Sequence, residues 1–466
     1  MNQIDLAFTP AVEQAQLIRS KQVSPLELTE LYLERIHRLD GNLGSYFTVM
    51  TDVALADAKA KTEALAGDTS ELPPFFGVPI SIKDLNPVAG VRCTYGTPAL
   101  RDKIAAYDDA VAGRIKMAGF TILGKTATSE LGSMPFTEAP GFPPTRNPWN
   151  LDYTPGGSSG GASAATAAGL CALAQGSDGG GSVRGPAACC GLVGLKPSRG
   201  RISYAPVGDH QNGIATNGSL ARTVADAAAL LDVMSGYITG DPYWLPDPET
   251  TFLAATAQKL NPLRIAFSTA IPPVGEADAV RQESVLKTVR HLEEMGHIVE
   301  PGCPDFSNLI EPFTKVFLAG VAAAGIPKEY LQPMNRWMAE QSGSAGEYLQ
   351  AVAQMQISAR RIVAFFENYD VLVLPTYLHQ PLRIGEWANL PPEEILQRII
   401  QWVAPCPPFN ATGQPAIALP TGFDDIGLPV GVQLVGRPAA EATLLSLASQ
   451  LEAAKLWSDR RPDFAV

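Results

Sequence analysis

An α/β fold is what this 466-residue chain predicts, on three observations. Helix-like and strand-like segments alternate along its first half, and buried strands recur in its last third. Its composition, 46% hydrophobic and only 18% charged, supplies a large core for one domain or two. Taken in order, residues 1–65 read as helical. Ser24-Pro25 with Glu27 forms an N-cap, a first-turn proline and a capping-box acid, and Leu28, Leu31, Tyr32 and Ile36 share one face. Gly77-Val-Pro-Ile-Ser-Ile-Lys83-Asp84 is a short apolar strand that closes on a charged pair. Residues 111–118 are helix-like and 121–124 strand-like. Residues 240–345 read as helical with proline-rich breaks near Pro242 and Pro248, the pattern of a lid or cap. Asp370-Val-Leu-Val-Leu-Pro-Thr376 is a buried strand, and Ala416-Ile-Ala-Leu-Pro420 is a second, ahead of a hairpin-like turn at 424–427.

Charge and cysteine usage exclude several function classes. A net charge of −12 argues against a surface that neutralises nucleic-acid phosphates. The six cysteines, at 93, 171, 189, 190, 303 and 406, form no CxxC pair and have no histidine at ligand spacing. Neither a disulfide framework nor a metal site is expected. The start, Met-Asn-Gln-Ile-Asp, lacks the basic and apolar regions of a signal peptide, and no run of 18 apolar residues appears. A cytoplasmic protein without a membrane or nucleic-acid partner, and without a cofactor, is expected.

Residues 154–200 carry the chemistry. They are dense in Gly, Ser and Ala, yet too apolar for a linker. A helix of about ten residues rises ~15 Å, and a returning strand of about five residues runs ~16 Å. If the chain folds back this way after Ser158, the loops at Ser158 and Ser182 meet at one end of the pair. Asp178-Gly-Gly-Gly-Ser182 offers successive backbone N–H groups with no side chains in the way, as an oxyanion hole requires. A serine ending such a loop is placed to be a nucleophile, and it needs a base. A buried, neutral lysine serves, and Lys83, closing an apolar strand, is the best candidate. Asp178 and Arg184 are expected to pair and hold the loop. Two other readings stand beside this one. Glycine-rich loops are often plain turns or phosphate cradles, although no Walker pattern is present. Gly156-Gly-Ser158-Ser-Gly160 also fits the Gly-x-Ser-x-Gly elbow, with Asp370 and His379 in the chain order of a histidine triad.

The segments Gly156-Gly-Ser-Ser-Gly-Gly161, Gly176-Ser-Asp-Gly-Gly-Gly-Ser-Val-Arg-Gly-Pro-Ala187 and Gly191-Leu-Val-Gly-Leu-Lys-Pro-Ser198 resemble the amidase signature family. So do the block ending in Lys83-Asp84, Gly124-Lys-Thr-Ala-Thr-Ser-Glu130, and the downstream blocks at 369–376, 409–416 and 427–433. The resemblance spans nearly the whole chain in order, leaving about 240–345 unmatched as a helical cap-like insertion in one domain over 1–466. It implies a single α/β/α sandwich around a mixed β-sheet. It implies Lys83 as the ultimate base, Ser158 on a cis peptide bond as the proton relay, and Ser182 as the nucleophile. The oxyanion-hole donors map to the N–H groups around Gly179, Gly180, Gly181 and Ser182. Ser159 maps to a supporting hydroxyl, and Asp178 with Arg184 to the loop-fixing pair.

The implied function is hydrolysis of carboxylic amides through an acyl-enzyme. The rival within the family is the glutamine-hydrolysing A subunit of a tRNA-dependent amidotransferase. That subunit carries an acid shortly before its Phe-Asn-Ala-Thr-Gly-like block, where this chain has Val403, and usually an Asn where this chain has Ala127. Residues 200–241 and the C-terminal stretch 456–462 look closer to hydrolases of the 6-aminohexanoate cyclic dimer type. A free-standing enzyme, monomer or homodimer, acting on small, largely apolar linear, aryl or cyclic amides is therefore expected. Met134, Phe136, Leu318 and Trp402 are pocket-wall candidates for which core packing is an equal reading.

Overall fold

The computed structural model describes residues 2–67, 71–454, 457 and 460–466, so part of the 456–462 stretch lies outside the described residues. In chain order the strands are β1 (Tyr46–Val49), β2 (Pro79–Lys83), β3 (Thr121–Thr126), β4 (Leu173–Asp178), β5 (Val193–Lys196), β6 (Thr216–Ala221) and β7 (Arg264–Phe267). They continue as β8 (Ala270–Ile271), β9 (Gly275–Glu276), β10 (Ile298–Pro301), β11 (Val371–Pro375), β12 (Ala416–Phe423) and β13 (Pro429–Gly436). Apart from the β8–β9 hairpin, they form one mixed sheet in the order β1-β3-β2-β4-β6-β5-β12-β13-β11-β7-β10. β2 runs parallel to both β3 and β4, and β7 parallel to both β10 and β11. Every residue of β2, β3, β5, β6 and β11 is buried, which requires helices over both faces of the sheet. The α/β expectation holds in this form.

Local signals were obeyed where they were strong. The helix Pro25–Leu43 starts on the capping box of Ser24 and Glu27, and the helix Ala110–Met117 leads into β3. Two expectations are corrected. Residues 1–65 are not all helix, because β1 pairs antiparallel with β3 at the sheet edge. Residues 240–345 are not wholly a helical cap, because β7 and β10, joined through the helix Ala279–Glu294, extend the main sheet. All three, β1, β7 and β10, are four-residue strands with few consecutive buried positions, too short to show the two-residue period over flanking helical patterns. The helices Ile310–Ala323 and Pro333–Glu340 remain in the second half of the segment. No described helix is long and apolar enough to cross a membrane.

The expected fold-back between the two serine loops is present. The helix Gly160–Ala167 returns through β4, and the Ser159 N–H donates to the Ser182 carbonyl at 3.3 Å. This helix lies so close to the end of β3 that a Cβ on Gly161 would stand 2.3 Å from Ala127 N and 2.5 Å from Ser45 O.

Candidate active site

Lys83 ends β2 between β3 and β4, so its side chain emerges where β4 delivers Ser177 and Asp178. It is fully buried. Its backbone N–H donates to Gln175 Oε1 at 3.0 Å, and its Nζ lies 2.7 Å from Ser158 Oγ, 3.0 Å from Ser177 Oγ and 3.4 Å from Ser177 O. Burial lowers its pKa from 10.5 to about 7, against the opposing pull of the Asp178 carboxylate. A neutral amine has two N–H bonds and one lone pair. Ser177 provides two acceptors for the N–H bonds, which leaves the lone pair to accept the Ser158 O–H.

Ser158 follows a cis Gly157–Ser158 peptide bond, just before the helix Gly160–Ala167. Ser159 supports the same corner. Its Oγ donates to Ser177 O at 3.2 Å and accepts the Ser177 N–H at 3.3 Å. Ser182 closes the glycine loop and is only partly buried. The expected Asp178–Arg184 pair is present at 2.9 Å with both side chains fully buried. Burial alone would raise the Asp178 carboxyl, but Arg184, Lys196 and Asn410 hold it well below the usual carboxylate range. Asn410 Oδ1 accepts from Arg184 at 2.6 Å and its Nδ2 donates to Asp178, while Gln433 Oε1 accepts from Arg184 at 3.0 Å.

One expected hole donor is corrected. The Gly181 N–H donates to Asp178 Oδ1 at 2.7 Å, so its single hydrogen is committed to the loop's own carboxylate. Among the described residues, the amides of Gly179, Gly180 and Ser182 donate to no protein group. The histidine-triad alternative is not assembled. His379 is exposed, and the Asp370 carboxylate accepts from the Arg264 N–H and pairs with Arg437. The other fully buried lysines turn elsewhere: Lys125 pairs with Asp84 at 3.1 Å, and Lys196 donates to two backbone carbonyls.

Sequence reasoning missed Ser177, Gln175, Asn410 and Gln433. Their signal is a polar side chain inside a strand or block that is otherwise apolar and buried, which a core does not tolerate without partners. Ser182 borders two chambers. One, of about 110 Å³, is apolar and includes Met134, Phe313, Phe317, Leu318, Ile399 and Val403 in its walls. The other, of about 1000 Å³, is a polar vestibule reached by Ser158, Ser177 and Ser182. Of the four pocket-wall candidates, Met134 and Leu318 line the apolar chamber, whereas Trp402 and Phe136 pack behind it.

Comparison with known proteins identifies the family and the fold. The family model described as Amidase matches residues 27–445. A putative amidase of Synechocystis sp. is 55% identical over 96% of this chain and 89% of its own. The solved structure of 6-aminohexanoate cyclic dimer hydrolase superposes with a TM-score of 0.92 at 32% identity, covering 99% of both chains. A bacterial aryl acylamidase of the amidase signature family gives 0.89 at 26% identity over 98% of both chains.

Proposed function

The chain belongs to the amidase family and is an amide hydrolase, and on that premise we propose that it works through Lys83, Ser158 and Ser182. The observation that carries the proposal is the buried Lys83 amine, with a pKa near 7, at 2.7 Å from Ser158 Oγ. Neutral Lys83 accepts the Ser158 proton while Ser158 accepts that of Ser182, whose Oγ attacks the amide carbonyl. The N–H groups of Gly179, Gly180 and Ser182 receive the oxyanion; losing one such donor typically costs about 3–4 kcal/mol of transition-state stabilisation. The proton returns through Ser158 to the leaving amine as the C–N bond breaks. Water then attacks the acyl-enzyme by the reverse relay, releasing the acid and restoring Ser182.

The two chambers give the substrate a direction. Ser158 borders the vestibule and not the apolar chamber. An amine protonated by Ser158 therefore leaves through the vestibule, and the acyl group occupies the apolar chamber. This favours small, largely apolar linear, aryl or cyclic amides. It disfavours the glutamine of an amidotransferase subunit, whose charged amino group would face Val403 without a carboxylate. Six free thiols suit a reducing cytoplasm, where the protein acts unaided as a monomer or homodimer.

A fluorophosphonate label on the purified chain tests the assignment. Modification of Ser182 is expected, with loss of amidase activity in proportion. Labelling of Ser158 alone would return the elbow reading, and no labelling of either would favour a binding protein.

A further inference from the structure

Within the apolar chamber, the phenol of Tyr377 is not explained by apolar packing. Tyr377 follows β11, is 5% exposed and lines the chamber beside Gly180 and Ser182. Its ring packs on Trp402, with centroids 4.6 Å apart, and Trp402 is itself held by an Nε1 hydrogen bond to His379 O at 3.0 Å. The phenol lies across Gly185, in the helix Arg184–Cys190 that begins two residues after Ser182. A Cβ on Gly185 would stand 1.8 Å from the Tyr377 hydroxyl oxygen and 2.0 Å from Cζ, so no larger residue fits under this ring. Towards the nucleophile loop, Tyr377 Cε1 lies 3.9 Å from where a Gly181 Cβ would stand.

The ring is thus wedged between the loop that carries Ser182 and the helix that follows it. Its hydroxyl makes no hydrogen bond to a described residue, and it is not among the fully enclosed unpaired polar atoms, so it opens onto the chamber that Tyr377 lines. Buried tyrosine hydroxyls ordinarily find a partner, and a phenylalanine would fill the same space without an unmet donor. Burial, with Cys189 and Cys406 nearby, pushes the hydroxyl well above its usual range, so it stays a donor throughout any practical assay.

We infer that Tyr377 is a specificity-determining residue whose hydroxyl donates to an oxygen or nitrogen acceptor in the acyl part of the substrate. The preferred acyl group is then apolar except for one acceptor placed a few bonds from the scissile carbonyl. Gly185 is the position that lets the phenol reach it. The inference rests on the proposed placement of the acyl group in the apolar chamber.

The test compares p-nitroanilides of hexanoic acid with those of 3-, 4- and 5-oxohexanoic acid, on the wild type and on Tyr377→Phe. At least one oxo-acyl anilide is expected to outrun the hexanoyl anilide on the wild type. Tyr377→Phe should lower kcat/KM for that substrate about tenfold or more, and for the hexanoyl anilide by less than about twofold. An equal loss on all four, no loss on any, or no turnover of any overturns the inference. Fluorophosphonate labelling of the same preparations separates the two levels. Labelled Ser182 with no selective loss removes only the role of Tyr377, whereas unlabelled Ser182 removes the triad beneath it.

Discussion

Lys83→Arg separates a buried base from a buried charge. Both side chains are long and cationic, but a guanidinium does not lose its proton in a protein. Burial brings Lys83 from 10.5 to about 7, with Asp178 resisting. That fall corresponds to about 5 kcal/mol of preference for the neutral amine. At pH 7 about half of the molecules then hold a neutral base, against about one in three thousand for an unperturbed lysine. kcat/KM for an anilide should therefore climb about tenfold per pH unit at acid pH and level off above about 8. Between pH 5 and the plateau the rise is about 100-fold. Lys83→Arg and Lys83→Ala should lie at background throughout. The assay is initial-rate hydrolysis from pH 5 to 9 at constant ionic strength, with near-UV circular dichroism at each pH to establish that the fold persists. A flat wild-type profile, an ascending limb near pH 10, or wild-type turnover by Lys83→Arg would refute the reasoning. The same burial has a signature in stability. The unfolded chain keeps the lysine proton up to about pH 10.4 and the native one only to about 7. Unfolding thus takes up a proton in that window, so the Lys83 contribution to stability improves from about pH 7 to about 10.4 and is least favourable below 7. Lys83→Met should stabilise the fold more at pH 6 than at pH 10.

Arg184→Ala strands the fully buried Asp178 carboxylate, which should cost about 3–5 kcal/mol in denaturant unfolding and abolish turnover. In the wild type, stability from the depressed Asp178 is present above the unfolded carboxylate pKa near 3.9 and is lost as the pH falls below it, which acid titration by circular dichroism reads. Gly161→Ala drives a methyl group into the backbone of Ala127 and Ser45, and a sharp drop in melting temperature is expected. Gly113→Ala, in the helix Ala110–Met117 with nothing within 4 Å, should be neutral or stabilising by up to about 1 kcal/mol. His379→Ala should leave kcat/KM within about twofold, and a hundredfold loss would bring back a histidine triad.

What could be read from the chain differs in kind from what could not. The capping box at Ser24, the apolar run of β11 and the paired lengths of the helix Gly160–Ala167 and β4 are local patterns, and the structure follows them. β1, β7 and β10 escaped because four residues carry too little periodicity, and pairing partners far along the chain decide such strands. Asp178 and Arg184 sit six residues apart, within reach of local reasoning, but Asn410 and Gln433 join them from more than 220 positions away.

Residue order is enough to establish which chemical groups are available and in what succession: two serine loops, a run of small residues that permits close packing, a lysine at the end of an apolar strand. Residue type sets backbone freedom and burial preference, so these features survive without coordinates. The tertiary structure alone decided that the Lys83 amine is dry and faces Ser158, 75 residues away, and that the Gly181 amide turns into Asp178. Desolvation and the direction of a hydrogen bond are sums over whatever surrounds a group, and those surroundings come from every part of the chain.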